Sequence, residues 1–211
     1  RPNGAMPTTA PEYVVFEGPG MDAFAESPEW GGSLVIFPFM YYETYGDDSL
    51  IKKYYQHMRR YTDYLKTRAD NGILSFGLGD WYDYGDFRAG FSRNTPVPLV
   101  ATAHYYMTVM YLIKAARMVG NEFDVRYYSS LAYDIMVAFN KRFLDSNTAQ
   151  YGTGSQASNA LPIFLQMIQS TGDKGDYTPD ASLAAKVLTN LIKDVESHGN
   201  RLTTGDVGNR Y

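Results

Sequence analysis

Along this chain two kinds of helical stretch alternate, and that alternation limits the folds open to it more than any other feature. From Leu50 the apolar set Leu50, Tyr54, Met58, Tyr61 and Leu65 recurs every three or four residues. Lys52, Lys53, Arg59, Arg60, Asp63 and Lys66 fill the other side, which predicts an amphipathic surface helix. A second copy carries Phe123, Tyr127, Leu131, Ile135, Phe139 and Phe143, and a third, from about Asp180, carries Leu183, Val187, Leu191 and Val195. Between and before these lie stretches at 34–42, 105–112 and 160–168 that are apolar nearly all round, as helices buried on every side are. Pro38 and Pro162 fall within two of them and are expected at first-turn positions or kinks.

The joints repeat too. Tyr45-Gly46-Asp47, Val119-Gly120-Asn121 and Thr171-Gly172-Asp173 each lead from a buried stretch to an amphipathic one, with Gly suited to end one helix and Asp or Asn to cap the next. The return connections are long, at residues 1–30, 69–97, 145–156 and 198–204. A helical-hairpin repeat follows, with apolar helices in an inner ring, amphipathic helices in an outer ring, and all long loops at one mouth. Functional residues concentrate on loops carried by a rigid scaffold. Six helices and the start of a seventh cannot close a ring, so the chain is expected to be an all-α toroid left incomplete at both ends. Its two raw apolar edges are expected to drive dimerisation or aggregation.

A net charge of -4 with no dense basic run argues against nucleic acid as partner. No apolar run approaches the roughly 18–20 residues that span a bilayer, so no membrane association is expected. The chain begins Arg1-Pro2-Asn3-Gly4, without initiator Met or signal peptide, and its true N-terminus is expected to lie upstream. The absence of cysteine excludes disulfides and thiolate chemistry but fits either side of a bacterial inner membrane, with a periplasmic or secreted setting favoured over a cytoplasmic one. The 19 Tyr, 11 Phe and 2 Trp include many in Gly-rich stretches, and aromatic faces outside a core suit sugar-binding clefts.

The long loops hold the candidate site. Ser27-Pro28-Glu29-Trp30 precedes the first buried helix, with Ser27 as its cap and Glu29 and Trp30 at its positive end. Loop two, Phe76-Gly77-Leu78-Gly79-Asp80-Trp81-Tyr82-Asp83-Tyr84-Gly85-Asp86, interleaves three carboxylates with one Trp and two Tyr. Glycoside hydrolysis calls on such groups: in inverting enzymes two carboxyls stand roughly 6.5–9.5 Å apart, and further acids and rings hold the sugar. A calcium site on Asp80, Asp83 and Asp86, or a purely structural turn, are the other readings of this loop. Loop three, Tyr151-Gly152-Thr153-Gly154-Ser155-Gln156, and loop four, Arg201-Leu202-Thr203-Thr204-Gly205-Asp206, offer groups suited to sugar hydroxyls, although Ser155 and Thr204 also suit caps. His57, His104 and His198 are assigned to structure, and there is no triad, zinc motif or phosphate loop.

The run Glu29-Trp30-Gly31, Tyr45-Gly46-Asp47, Met58-Arg59-Arg60-Tyr61-Thr62-Asp63-Tyr64-Leu65, Gly79-Asp80-Trp81 and Leu202-Thr203-Thr204-Gly205 resembles, in order, the catalytic domain of bacterial α-L-rhamnosidases, glycoside hydrolase family 78. The resemblance implies an (α/α)6 barrel, of which about three and a half hairpins are present here. It also implies inverting hydrolysis of terminal α-L-rhamnosides without cofactor or metal, and sugar contacts from Trp30, Asp80 and Trp81. Glu29, Tyr82, Asp83, Gln156 and Thr204 complete the expected substrate-binding set. The family's general acid lies before the matched region and its general base after it, so the chain alone is expected to be inert. Many relatives have Trp-Gly-Asp where this chain has Trp30-Gly31-Gly32. Two other readings stay open: another toroidal glycosidase such as an unsaturated uronyl hydrolase, whose mouth needs more cations than Arg88, Arg93 and Arg201, and a non-catalytic helical-repeat binding module.

Overall fold

A computed structural model describes residues 1–171 and 177–211. Two short helices, α1 (Asp22–Ala25) and α2 (Pro28–Gly31), close the first loop. Three antiparallel pairs follow: α3 (Ser33–Tyr45) with α4 (Ser49–Arg68), α5 (Val97–Met118) with α6 (Glu122–Phe143), and α7 (Gln156–Phe164) with α8 (Ala181–Ser197). Small antiparallel pairs, β1 (Leu144–Asp145) with β2 (Gln150–Tyr151) and β3 (Gln169–Thr171) with β4 (Tyr177–Pro179), edge the third hairpin. A 3-10 turn covers Gly208–Arg210.

The predicted joints turn at their glycines in the first two hairpins, and the expected cap forms in the second. Gly46 (φ 68°) and Gly120 (φ 74°) turn in the left-handed region. Asn121 then caps α6 by accepting from Asp124 N at 3.1 Å, whereas α4 begins after Asp48, which makes no capping bond, and Asp47 one residue earlier accepts from Ser49 N at 2.8 Å. The third joint differs. Gln166 adopts φ 55° just after α7 ends at Phe164, and the chain continues as β3 rather than as helix to Ile168. Thr171 pairs with Tyr177, while Gly172 and Asp173 lie outside the described residues. Asp180 nevertheless opens α8 by accepting from Leu183 N at 2.8 Å. The two prolines are not at first turns: Pro38 and Pro162 are interior to α3 and α7.

Burial follows the predicted alternation, with corrections on α3, α4 and α6. α5, packed by α3, α4, α6 and α7, is the central inner helix, with Leu99, Val109 and Leu112 fully buried. On α4 the inward stripe is Ile51, Tyr55, Met58, Thr62 and Leu65, shifted by one residue in its first half from the predicted Leu50 and Tyr54. On α6 the same shift places Tyr128 and Ala132 inside and leaves Phe123 66% exposed. α3 covers only one of its sides: Val35 and Phe39 are buried, while Phe37, Met40 and Tyr45 face outward. The core forms two continuous clusters, one around Tyr61, Tyr105 and Leu112, the other around Phe139, Tyr151 and Leu161. No helix among the described residues is long and apolar enough to cross a membrane.

All four long loops meet at one end. Tyr84 N of loop two donates to Thr203 O of loop four at 3.0 Å, and Thr153 Oγ1 of loop three donates to Asn94 O at 2.6 Å. Ser155, which caps α7, also lies 2.8 Å from Thr95 Oγ1.

Candidate functional site

The start of α2 and loop two are joined by side chains of loop one. Pro28 takes the first helical position, where its missing N–H costs nothing. Ser27 precedes it as expected, but its side chain does not cap the helix. Its Oγ instead donates to Glu29 Oε2 and accepts from Leu78 N at 3.0 Å. Glu29 Oε1 accepts from Gly79 N at 3.1 Å, so two adjacent loop-two amides are held by one Ser–Glu pair. Burial pushes the Glu29 carboxyl up to about 7, against the opposing pull of the Ser27 hydroxyl and the backbone amides.

Glu29 and Trp30 line a cavity of about 340 Å³. Thr8, Ser33, His104, Asp206, Val207, Arg210 and Tyr211 complete its lining. His104 Nδ1 donates to Val100 O at 2.9 Å, which leaves Nε2 to accept from the Tyr211 hydroxyl at 3.2 Å. Burial lowers the imidazole to about 4, and the Arg210 charge adds to that, so His104 is a neutral polar group near neutral pH. A ring, two carboxylates, a guanidinium, hydroxyls and a neutral imidazole around one small volume are groups that grip a monosaccharide. A larger groove of about 580 Å³, lined by Arg59, Asp63, Phe123 and Tyr127, lies between α4 and α6.

The carboxylates of loop two have a different task from the one expected. Asp80 is fully buried, its Oδ2 accepting from Gly205 N at 2.8 Å and its Oδ1 from Gly208 N at 2.6 Å. Burial raises its pKa, the nearby Asp83 charge adds to the rise, and the Gly205 and Gly208 amides oppose it. Asp83 is 1% exposed and accepts from the amides of Arg93, Asn94 and Thr95 and from Ser92 Oγ at 2.7–3.1 Å. Both acids shape the loops rather than face a sugar, which corrects the expectation of direct contact. With these oxygens already engaged by backbone donors, the calcium reading of Asp80, Asp83 and Asp86 lacks the convergent free ligands that the ion needs. Among the described residues no three His, Asp or Glu side chains gather as a metal site.

Gln156 is similarly engaged, donating from Nε2 to Arg201 O at 3.0 Å and accepting at Oε1 from Thr203 N at 2.9 Å. Thr204 keeps a buried Oγ1 without a hydrogen-bond partner in the protein. Trp81 and Tyr82 remain at the rim. Trp81 O accepts from Asp206 N at 2.7 Å, so the Trp81 backbone is bonded to the cavity wall. Trp30 thus lines the cavity, the Trp81 backbone is bonded to Asp206 of the same lining, and both Trp side chains are partly accessible, whereas Asp80 is fully buried.

Sequence reasoning reached Asp206 as the end of loop four but missed His104, Val207, Arg210 and Tyr211 as lining residues. His104 sits in an apolar helix and reads as core; the other three follow the last recognisable loop with no motif of their own.

The whole chain, residues 1–211, matches the sequence profile described as the bacterial alpha-L-rhamnosidase 6 hairpin glycosidase domain. It is 28% identical over 191 residues to an alpha-L-rhamnosidase of Formosa agariphila, covering 87% of this chain and 19% of that protein. An alpha-L-rhamnosidase of Alteromonas sp. is 24% identical over 187 residues, 86% of this chain and 19% of that one. Among solved structures, the alpha-L-rhamnosidase of Dictyoglumus thermophilum superposes with a TM-score of 0.81 at 28% identity, over 100% of this chain and 22% of that one. The Streptomyces avermitilis alpha-L-rhamnosidase complexed with L-rhamnose shares the fold at a TM-score of 0.78 and 21% identity, over 98% of this chain and 17% of that one. The chain therefore spans about a fifth of the length of these relatives.

Proposed function

Because this chain belongs to the bacterial α-L-rhamnosidase six-hairpin glycosidase family, we propose that it supplies the sugar-holding mouth of an enzyme that hydrolyses terminal α-L-rhamnosyl residues with inversion. The observation that carries this reading is the cavity lined by Glu29, Trp30, Asp206 and Tyr211, whose size and mixed polar and aromatic lining suit a single sugar ring. In the inverting reaction a carboxylic acid protonates the departing oxygen and a carboxylate activates water on the opposite face. Neither role falls to Asp80 or Asp83, whose oxygens are held by backbone amides. Both roles are assigned to the longer protein, outside residues 1–211. The chain itself holds and orients: Trp30 offers a ring face to the apolar side of rhamnose, and Asp206, Arg210 and Tyr211 take hydroxyls.

The test compares the 211-residue chain with the longer enzyme on 4-nitrophenyl α-L-rhamnoside. The expected result is no release of 4-nitrophenol by the chain and steady release by the longer enzyme, with Trp30→Ala in the latter raising KM at least tenfold. Turnover by the chain alone, or a Trp30→Ala enzyme with unchanged KM, overturns the assignment.

A further inference from the structure

The groove of about 580 Å³ between α4 and α6 shares no lining residue with the cavity. Two of its side chains are out of place on an outer helix. Phe123 and Tyr127 stand one turn apart on α6 and are 66% and 40% exposed, while Tyr128, Ala132 and Ile135 fill the inward positions of that helix. Their ring planes are 8° from parallel, with centroids 6.3 Å apart. Neighbours hold the Tyr127 ring in this pose: Tyr128 meets it edge-to-face at 4.9 Å and 82°, and Lys66 Nζ donates to its hydroxyl at 2.6 Å. Tyr128 is fixed in turn by donating to Asp63 Oδ1 at 2.7 Å. Apolar faces kept in water yet held rigid, in a groove edged by polar groups, indicate a ligand that covers them.

We infer that this groove is a second carbohydrate-binding site, for a neutral glycan of about two sugar units. The two parallel rings offer apolar faces to the C–H side of a pyranose. Around them stand both kinds of hydrogen-bonding partner. Asp63 spends Oδ1 on Tyr128 and can accept a sugar hydroxyl proton at Oδ2, and Lys66 can donate. Arg59 adds further donors. Its Nε is buried without a hydrogen-bond partner among the described residues, 3.4 Å from Asp124 Oδ2, which already accepts from the Tyr55 hydroxyl at 2.5 Å and from Asn121 Nδ2 at 2.8 Å. The charges balance, with Arg59 and Lys66 against Asp63 and Asp124. A phosphate or a carboxylate would need an excess of positive charge, whereas hydroxyls use donors and acceptors alike. The volume exceeds that of the cavity assigned to one sugar ring, about 340 Å³, by enough for a second ring.

The experiment is native affinity electrophoresis of the longer enzyme through separate gels carrying dextran, galactan, xylan or rhamnan, with a polygalacturonate gel and a plain gel alongside. Phe123 and Lys66 are both exposed, so Phe123→Ala and Lys66→Gln are expected to keep the parent unfolding midpoint. The parent is expected to be retarded by at least one neutral polysaccharide, with affinity falling about fivefold in Phe123→Ala, the worth of one aromatic contact, and about threefold in Lys66→Gln, the worth of one exposed polar contact. A parent that no neutral polysaccharide retards, or two variants retarded as strongly as the parent, overturns the site. Retardation by polygalacturonate alone overturns the neutral glycan. A parent whose mobility in the plain gel falls with its own concentration, and does so no longer in Phe123→Ala, gives the groove to a protein contact and overturns the proposal as well.

Discussion

Replacing Asp80 by Ala separates a structural from a contacting role for the most prominent acid in the chain. Asp80 is fully buried, and its two oxygens accept from Gly205 N and Gly208 N, which have no other acceptor within the turn they begin. Orphaning a buried amide costs about 1–3 kcal/mol, so losing both acceptors costs about 4 kcal/mol. For a domain of this size each kcal/mol moves the unfolding midpoint by roughly 2–4 °C, and the expected fall is about 8–16 °C. The turn that is released carries Asp206, Arg210 and Tyr211, so sugar affinity should decline along with stability. Differential scanning calorimetry and isothermal titration with L-rhamnose, run on the same Asp80→Ala preparation, check this. An unchanged midpoint with abolished rhamnose binding would refute the argument, because it would mean that the carboxylate touches the sugar and not the turn.

Three further outcomes are expected. Glu29 has its carboxyl raised from 4.5 to about 7, so the folded state holds more protons than the unfolded one between those values, and stability falls as pH rises across that window; denaturation midpoints from pH 4 to 8 should show a loss of about 3 kcal/mol that Glu29→Gln flattens. Gly205→Ala places a methyl group 2.2 Å from Trp81 O, so it should displace the loop-four turn and lower the unfolding midpoint by at least 5 °C, roughly the effect of 2 kcal/mol. Phe139→Ala empties a fully buried site beside Tyr151 and should cost about 3–5 kcal/mol in a urea titration without changing rhamnose affinity in the protein that remains folded.

The hairpin order and the first two joints were legible because they rest on local chemistry, namely a left-handed glycine at each and, at the second, the capping Asn121. The facing of α4 and α6 was half legible. Leu50 and Ile51 offer adjacent stripes of equal hydrophobicity, and Phe123 and Tyr127 compete with Tyr128, so only packing against α5 selects between them. The end of α7 was misjudged because 165–168 is apolar in either conformation, and the left-handed Gln166 leaves no compositional mark. Loop two shows the widest gap. Its acids look available in sequence, yet the groups that engage Asp80 lie 125 and 128 residues further on, and those that engage Asp83 are plain backbone amides 10–12 residues away.

The bonds from Asp80 to Gly205 and Gly208 also impose an order on biosynthesis. A ribosome that has delivered the first two hairpins has made an aspartate whose acceptors must remain hydrated, since the amides that will receive them have not been translated. The helical scaffold can settle early, by local contacts, while the mouth waits. The loop-two turn therefore takes its final form as a late, single event, when the segment carrying Gly205 and Gly208 emerges and docks on Asp80.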